Sequence, residues 1–423
     1  MRQSQLFTRT KKDLPKDEVS ASAQKLLQAG FIHKEMAGVY SYLPLGLRVL
    51  VKICQIIREE MNQIGGQEIE LSALQDPEIW QKTKRWPDET VDIWFKTRLK
   101  NNTEVGLGFT HEEPITRLMT SYVQSYRDLP RLIYQIQTKF RNEARAKSGI
   151  MRCREFLMKD LYSFARTEAE HGEQYEKVKN AYTKIWQRVG IGDSTYLTFA
   201  SGGVFAKYSH EFQTVSEAGE DRIYLDREKG IAINKEVLTD AVMNDLGVTK
   251  KNLVERRAIE VGNIFSLGTR FSESLGLVYT AEDGARQPVI MGSYGIGPGR
   301  LLGTIVELRH DQRGIIWPAS VAPFAVHLIS LCQEEADEKQ AEKIYETLQQ
   351  ENIEVLYDDR PDVRAGEKFA DSDLIGIPIR AVVSPKTLAK GMVEVKERNS
   401  DKVSMVSMSE LVPWISNRLN PKP

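Results

Sequence analysis

The chain has 423 residues, of which 41% are hydrophobic and 28% charged, and its formal net charge is -1. This composition is typical of a globular protein of two or three domains and excludes an overall basic surface, although local patches can still bind RNA. The three cysteines form no CxxC pair, so we expect neither a disulfide framework nor a structural zinc site. Without a run of roughly 18 apolar residues, no membrane span is expected.

The first 320 residues combine helical patterns with antiparallel strand patterns. Residues 46–64 carry apolar side chains at helical spacing before Gly65, which predicts an amphipathic helix, and residues 67–75 alternate like a strand. Two strands, 131–141 and 152–164, are predicted to form a hairpin. The remaining predictions are a helix at 168–190, short strands at 195–226, a mostly helical stretch at 234–257, strand and loop at 258–279, a strand at 287–294 and a helix at 301–308.

The pattern changes near Pro318–Pro323. Beyond this point predicted strands and helices alternate, as in a small α/β domain with a mostly parallel central sheet. We therefore predict an α+β fold with an antiparallel-sheet domain at residues 1–320 and a small α/β domain at residues 323–423.

The segment GSYGIGPGR combines close backbone approach with charge. Gly295, Gly297 and Gly299 let the backbone come near a ligand, Pro298 suits the first turn of a helix, and Arg300 adds a permanent forked cation. The dinucleotide-binding fingerprint lies early in a βαβ unit, whereas this segment ends an antiparallel domain, so we reject that interpretation. Phosphate binding and tight helix–sheet packing both stay open.

A second segment, GFTHEEPIT, places a hydroxyl beside two carboxylates. Thr110 and Glu112 would suit an ammonium or a secondary amine, while Thr110 and Glu113 match the spacing of a helix-capping box. A third segment contains His210-Glu211, but it has no HExxH pattern and no second nearby histidine, so we propose no zinc.

The segment FRNEARAKSGIMRCREF carries its charged residues in an order that an antiparallel hairpin explains. Arg–x–Glu, a loop and then Arg–xxx–Phe resembles the second signature of class II aminoacyl-tRNA synthetases. GSYGIGPGR resembles the third signature, and the helix and strand at 46–75 resemble the first, a dimer-interface element. The segments GFTHEEPIT, IEVGNIFSLGTRFSE, DQRGIIWPASVAPF and GEKFADSDLIGIPIRAVVS extend the likeness to the bacterial-type prolyl-tRNA synthetase family over nearly the whole chain.

This resemblance implies a set of roles in the site. Arg141 would bind the proline carboxylate and the transferring phosphoryl group, and Arg300 the γ-phosphate. The implied proline-binding residues are Thr110, Glu112, Arg141, Met158, His210 and Phe212. The implied ATP-binding residues are Arg141, Glu143, Arg152, Phe156, Glu260, Asn263 and Arg300, with Mg²⁺ carried by the ATP phosphates and Glu260 as its candidate carboxylate.

The resemblance also implies the reaction and its partners. Proline would attack the α-phosphate of ATP to give prolyl-adenylate, and tRNA(Pro) would take the prolyl group, with no covalent enzyme nucleophile. The C-terminal domain resembles a class IIa anticodon-binding domain, in which Arg360 and Lys368 are our candidates for contact with anticodon bases; solvated surface charge is the alternative. A homodimer in a bacterial cytoplasm is expected.

The chain departs from the family pattern at several positions. Asn263 and Ser293 stand where members commonly carry histidine and cysteine, and Ser72 stands where the first signature usually has proline. Only residues 234–257 occupy the place of the large editing domain that many bacterial members insert. We therefore predict no hydrolysis of alanyl-tRNA(Pro) by this chain, and a separate trans-acting deacylase becomes an expected partner, since one methylene discriminates by only ~1–3 kcal/mol.

Two other functions fit parts of the sequence. A synthetase for threonine or glycine is one, but threonyl enzymes use a zinc with cysteine and histidine ligands, and Cys153 stands alone here. A non-catalytic paralogue that regulates or binds tRNA is the other. Such paralogues usually lose the ATP-binding arginines, whereas Arg141 and Arg300 are present.

Overall fold

A computed structural model describes residues 1–13, 18–144, 146, 148–201 and 208–419. The helices, numbered in chain order, are α1 (Ala21–Gln28), α2 (Pro44–Gln63), α3 (Pro77–Lys82), α4 (Glu112–Met119), α5 (Glu168–Arg188), α6 (Asp240–Asp245), α7 (Arg270–Leu275), α8 (Pro298–Leu308), α9 (Glu335–Gln350), α10 (Ala365–Ile375), α11 (Pro385–Leu388) and α12 (Leu411–Leu419). No described helix has the length and apolar content needed to cross a membrane.

The strands of the described residues lie in five sheets. In chain order they are β1 (Ile32–Met36), β2 (Val39–Tyr42), β3 (Gln67–Glu68), β4 (Leu74–Gln75), β5 (Phe95–Arg98), β6 (Glu104–Leu107), β7 (Arg131–Phe140), β8 (Glu155–Ala165), β9 (Thr195–Ser201), β10 (Tyr208–Val215), β11 (Asp221–Asp226), β12 (Ile231–Asn234), β13 (Val254–Gly268), β14 (Val278–Thr280), β15 (Arg286–Pro288), β16 (Ile290–Ile296), β17 (Val326–Ser330), β18 (Val355–Asp358), β19 (Ile379–Val383), β20 (Met392–Glu397) and β21 (Val403–Ser407).

A nine-stranded sheet forms the centre of the larger unit. Its order is β10-β9-β12-β11-β13-β16-β8-β7-β3, and its pairs are antiparallel except β9–β12 and β3–β7. The predicted hairpin is confirmed: β7 and β8 pair from Arg131↔Phe164 to Phe140↔Glu155. Its connecting loop therefore lies at one end of two adjacent central strands.

Helix α5 packs on one face of this sheet. Thr167 caps it by accepting from the Glu170 backbone N–H, and Tyr182 and Trp186 are buried in its inner face. Because this face is closed by a helix, side chains that alternate along the central strands point either at α5 or at the opposite face.

A five-stranded sheet forms the second unit's core. Its order is β18-β17-β19-β20-β21, with a parallel centre and two antiparallel strands at one edge. This agrees with the strand and helix alternation in the sequence. The compact unit around this sheet comprises Ile305–Pro423 together with Met1–Lys34 and Ser41–Lys52, while Glu35–Tyr40 and Ile53–Thr304 form the other unit.

Two of the predicted elements were wrong in part. Residues 67–75 form only the short strands β3 and β4; between them the Leu71 N–H donates to the Gln135 side-chain oxygen and not to a strand partner. The mostly helical prediction for 234–257 gives only α6 as an α-helix, which buries Val242 and Met243 in a small apolar cluster.

Candidate active site

One pocket opens on the face of the central sheet away from α5 and at the end of the β7–β8 hairpin. Every residue predicted to bind ATP lines it. The lining residues are Arg141, Glu143, Ile150, Met151, Arg152, Cys153, Phe156, Met158, Glu260, Val261, Gly262, Asn263, Gly295, Gly297 and Arg300. Three segments distant in sequence therefore meet: the hairpin loop, the middle of β13 and the β16–α8 turn.

Arg141 follows β7 directly and is partly buried. Its Nε donates to the Phe109 carbonyl at 3.3 Å, and its guanidinium carbon lies 5.3 Å from the centre of the Phe156 ring. Burial and the charge of Arg300 lower the pKa of Arg141. The carboxylates that oppose this shift are Glu260, Glu112 and Glu143. The guanidinium stays charged and its position is fixed from two sides.

Arg152 joins two carboxylates at the pocket's rim. Its Nε and a terminal nitrogen donate to Glu143 Oε2 at 3.0 and 2.9 Å, and Nη1 contacts Glu220 Oε2 at 3.1 Å. Hydrogen bonding to Glu143 raises the pKa of Arg152. A nucleotide that bound Arg152 or Glu143 would replace the ion pair between these two side chains with its own contacts.

Glu260 is held by Asn263 and by Arg300, which lies in the first turn of α8. Arg300 Nη1 donates to the Glu260 carbonyl at 3.0 Å and to Oε2 at 3.2 Å, while its Nε donates to the Met151 carbonyl at 3.0 Å. Asn263 Nδ2 donates to Glu260 Oε1 at 3.1 Å, and Asn263 Oδ1 accepts from the Gly295 N–H at 3.1 Å. The guanidinium of Arg300 and the carboxylate of Glu260 therefore line the same pocket.

Thr110 and Glu112 are brought together as predicted from their spacing. Thr110 Oγ1 lies 2.9 and 2.8 Å from the two carboxylate oxygens of Glu112, and Ser293 Oγ donates to Glu112 Oε1 at 3.3 Å. The capping box does not form, because His111 occupies the N-cap of α4 and makes no side-chain capping bond. The Thr110 hydroxyl binds the carboxylate instead of a backbone N–H.

The other predicted proline-binding residues divide into two groups. Met158 lines the pocket, but His210 and Phe212 face α5. His210 Nδ1 lies 2.6 Å from the Tyr175 hydroxyl, and burial lowers the pKa of this imidazole to about 4. Phe212 is 3% exposed and its ring packs against Tyr182 and Trp186 of the helix. The structure does not bring these two side chains to the pocket.

Arg360 and Lys368 lie in an internal ion-pair network. Arg360 donates to both oxygens of Asp358 at 2.8 and 2.7 Å and to Asp371 Oδ2 at 2.9 Å. Lys368 is 4% exposed and donates to the Ser330 carbonyl at 2.8 Å. The candidate role of Lys368 in RNA contact has to be revised, because a buried ammonium with these partners presents no donor to a base.

Sequence reasoning missed Arg85, which contacts both carboxylates of the GFTHEEPIT segment. Its Nη1 lies 3.3 Å from Glu112 Oε2, and 3.0 and 3.1 Å from the two oxygens of Glu113. Burial raises the pKa of the Glu113 carboxyl to about 7, and the Arg85 charge opposes that rise. The signal in the sequence was two consecutive acids at a buried helix start, which require a nearby cation.

No group of three or more His, Cys, Asp or Glu side chains that could hold a metal ion occurs in the part of the chain that the structure describes. Glu260 supplies one carboxylate to the pocket. One or two carboxylates together with substrate phosphates are a usual ligand set for Mg²⁺, so the residues present fit an ion that arrives with a nucleotide.

The nine-stranded, mostly antiparallel sheet and its arginine-lined pocket belong to the core of a class II aminoacyl-tRNA synthetase. Residues 94–309 match the family described as "tRNA synthetase class II core domain (G, H, P, S and T)", and residues 320–418 match "Anticodon binding domain". Crystal structures of a prolyl-tRNA synthetase from Cryptosporidium parvum share this fold. One, complexed with halofuginone and AMPPNP, has a TM-score of 0.78 at 18% identity, covering 94% of this chain and 76% of that one; another was complexed with L-proline and AMP.

Curated relatives narrow the class to one family. A proline–tRNA ligase from Agrobacterium fabrum is 39% identical over 96% of this chain and 98% of its own length, and one from Caulobacter vibrioides is 38% identical over 98% and 99%. The chain belongs to the proline–tRNA ligase family. Since the alignments span almost all of both partners, these relatives do not contain a large domain that this chain lacks.

Proposed function

We propose that the protein activates L-proline with ATP to form prolyl-adenylate and transfers the prolyl group to tRNA(Pro). The observation that carries this proposal is the environment of Arg141. Its partly buried guanidinium interacts with Glu112, beside the Thr110 hydroxyl, and with Glu260 and Arg300 in the pocket. One cation can therefore serve an amino-acid carboxylate and a phosphate at once.

The first step needs positioning and charge more than acid–base catalysis. The secondary ammonium of proline would bind Glu112 and Thr110, which leaves its carboxylate directed toward Arg141. A carboxylate oxygen attacks the α-phosphorus, the bond to the bridging oxygen breaks, and pyrophosphate leaves with that electron pair. Arg141 stabilises the charge that develops on the α-phosphoryl group, and no proton has to move.

The ion pairs of the pocket support an ATP site. Arg300 and Arg152 now bind Glu260 and Glu143, and both are permanent cations that bind phosphate with forked geometry. Phosphates would compete for Arg300 and Arg152, which frees Glu143 to accept from the adenine amino group. Phe156, in contact with Arg141, offers a ring on which adenine can stack.

Glu260 is the side chain that would hold Mg²⁺ together with the ATP phosphates. When bound, the ion would neutralise phosphate charge. Asn263 donates to Oε1 of Glu260, and Arg300 donates to Oε2. These two hydrogen bonds fix the orientation of the carboxylate in the pocket.

The second step requires tRNA(Pro), whose terminal hydroxyl attacks the prolyl carbonyl and releases AMP. The α/β unit is the proposed anticodon-binding part. Of its two candidate side chains, Arg360 retains some exposure, at 21% of its side chain, although it is bound to Asp358 and Asp371. Both substrates, ATP and tRNA, fit a protein that acts in the cytoplasm.

Partners beyond the substrates follow from two observations. Leu47 and Val51 on α2 are about half exposed, on the helix that resembles the dimer-interface signature, which supports a homodimer. A pocket for proline discriminates weakly against alanine, because a smaller side chain loses only ~1–3 kcal/mol. We therefore include a trans-acting deacylase among the partners.

Pyrophosphate–ATP exchange against all twenty amino acids, without tRNA, tests the proposal. We expect exchange with proline, and at most weak exchange with alanine. Exchange with another amino acid alone would contradict the substrate, and no exchange at all would favour a non-catalytic paralogue. Rapid hydrolysis of alanyl-tRNA(Pro) by the purified protein would contradict the need for a separate deacylase.

A further inference from the structure

Two consecutive carboxylates at the start of α4 share a single guanidinium. Arg85 Nη1 lies 3.0 and 3.1 Å from the two oxygens of Glu113 and 3.3 Å from Glu112 Oε2. Thr83 Oγ1 also donates to Glu113, at 2.7 Å. Glu113 is fully buried and its oxygens are occupied by these donors, so Glu113 is not available to a ligand.

Arg85 is held in place by aromatic rings. Its guanidinium carbon lies 5.4 Å from the Trp80 ring, 5.3 Å from Phe109 and 5.4 Å from Phe271. The Arg85 carbonyl accepts from Trp94 Nε1 at 2.9 Å, which also fixes its backbone. A guanidinium packed against three rings has little freedom to move away from the carboxylates.

Glu112 is approached by different donors on its two oxygens. Arg85 contacts only Oε2, whereas Thr110 reaches both oxygens and Ser293 donates to Oε1. With both acids ionised, the group of Arg85, Glu112 and Glu113 carries one net negative charge. That charge matches a single ammonium, and it resides on the partly accessible carboxylate.

We propose that Arg85 is a positioning residue for proline binding, which orients Glu112 while Glu113 balances the charge of Arg85. It does not touch the substrate. Without Arg85, Glu112 Oε2 loses this donor and the carboxylate is no longer held in one orientation toward the secondary ammonium, so proline binding would weaken. This inference rests on the proposed activation of proline.

The test is steady-state pyrophosphate exchange at pH 8 with the full-length chain and its Arg85→Met and Arg85→Lys variants. For Arg85→Met we expect the KM for proline to rise about 10- to 100-fold, the usual effect of removing one partner of a buried charged hydrogen bond, while the KM for ATP changes less than about 2-fold. Arg85→Lys retains the charge without the fork and should recover part of the loss.

Two further variants make the result specific. Arg117→Met removes an exposed arginine of α4 that pairs with Asp76, and it should change neither KM. Glu113→Gln retains a side chain of the same size and lets Arg85 neutralise Glu112, so it should raise the KM for proline alone. It also replaces Arg85→Met as the decisive variant if the latter does not fold.

The outcomes separate this inference from the proposed function. A wild-type chain without proline-dependent exchange overturns both. An active wild-type chain whose Arg85 and Glu113 variants raise both KM values equally, or lower kcat alone, overturns only the positioning role, because a general structural defect does not select one substrate.

Discussion

The side-chain amide of Asn263 acts both as a hydrogen-bond donor and as a hydrogen-bond acceptor in the pocket. Its nitrogen donates to Glu260 and its oxygen accepts from the Gly295 N–H, so it links the middle of β13 to the strand that leads into α8. A neutral histidine also has one donor and one acceptor. An amide does not titrate, so Asn263 makes both hydrogen bonds without a change in its own charge.

Substitution of Asn263 should therefore act on ATP more than on proline. Asn263→Asp retains the acceptor for Gly295 but places a second carboxylate against Glu260, so we expect the KM for ATP to rise about tenfold or more, equivalent to about 1.4 kcal/mol of lost binding. Asn263→His should stay near wild type. Exchange kinetics with ATP varied at saturating proline measure both.

The same kinetics with proline varied provide the control. Glu260 and Asn263 lie on the ATP side of Arg141, so neither variant should move the KM for proline more than about 2-fold, within the context dependence of single interactions. A histidine variant as impaired as the aspartate variant would contradict the proposed role of the donor and acceptor pair.

At the residue scale, the sequence predicted residues that line one pocket and missed Arg85, which contacts the Glu112 carboxylate. Arg141, Glu143, Arg152 and Phe156 belong to one local hairpin, so their proximity follows from the pairing of two neighbouring strands. Arg85 could not be assigned in this way, because its contact with Glu112 depends on how distant segments pack.

Strand β10 explains why Phe212 does not reach the pocket. Along it, Glu211 pairs with Asn263 and Phe212 with Gly262, and the register then shifts so that Gln213 pairs with Glu260. A Cβ on Gly262 would lie 2.9 Å from the Trp186 ring, so Gly262 and Phe212 share the α5 side of the sheet. The shift returns Glu260 to the same side as Asn263, which alternation alone does not give.

Phe212→Leu should therefore affect stability and leave proline binding unchanged. Replacing a ring packed against Tyr182 and Trp186 by a smaller apolar side chain is expected to lower the free energy of unfolding by about 1 kcal/mol. Urea unfolding and the KM for proline are the two measurements.

Met158→Leu is the matched comparison, because Met158 lines the pocket and the volume change is small. It should alter the KM for proline with little change in stability. The reverse pattern, with Phe212→Leu raising the KM and Met158→Leu lowering only stability, would place Phe212 at the substrate.

At the element scale, an element could be predicted where the residues that determine it are neighbours in sequence, and not where it depends on contacts with distant segments. The helix at 46–64 was confirmed as Pro44–Gln63, since its apolar stripe and the glycines after it are both local. The segment 67–75 alternates like a strand, yet side chains of β7 bind its backbone between two short strands. The domain boundary near Pro318–Pro323 stays a prediction, since the compact unit that holds the C-terminal sheet also takes in Met1–Lys34.

Over the whole molecule, buried histidines link stability to pH. Burial lowers the pKa of His111, His210 and His327 to about 4 in the folded protein, against an ordinary value of about 6.5. They lie in both compact units: His327 belongs to the unit with the C-terminal sheet, and the other two to the unit with the central sheet.

We therefore expect stability to fall as the pH is lowered from about 6.5 toward 4. In that window the unfolded chain binds protons on these imidazoles and the folded chain does not, so unfolding takes up protons and acid favours it; above about 6.5 the three groups have no effect. Each contributes up to ~1.4 kcal/mol per pH unit. Urea unfolding at pH 7.5, 6.0 and 5.0 measures the slope.

His327→Gln isolates one of these groups from the carboxylates, which also titrate near the acid end of the window. His327 Nε2 lies 2.8 Å from Gln3 Oε1, and glutamine can still donate there, so the variant should fold. Its stability should decline less steeply with acid than that of the wild type. His33→Gln, at an exposed position, should retain the wild-type slope. Equal slopes for wild type and His327→Gln would mean that the pKa of His327 is the same in the folded and the unfolded chain, against the direction that its burial requires.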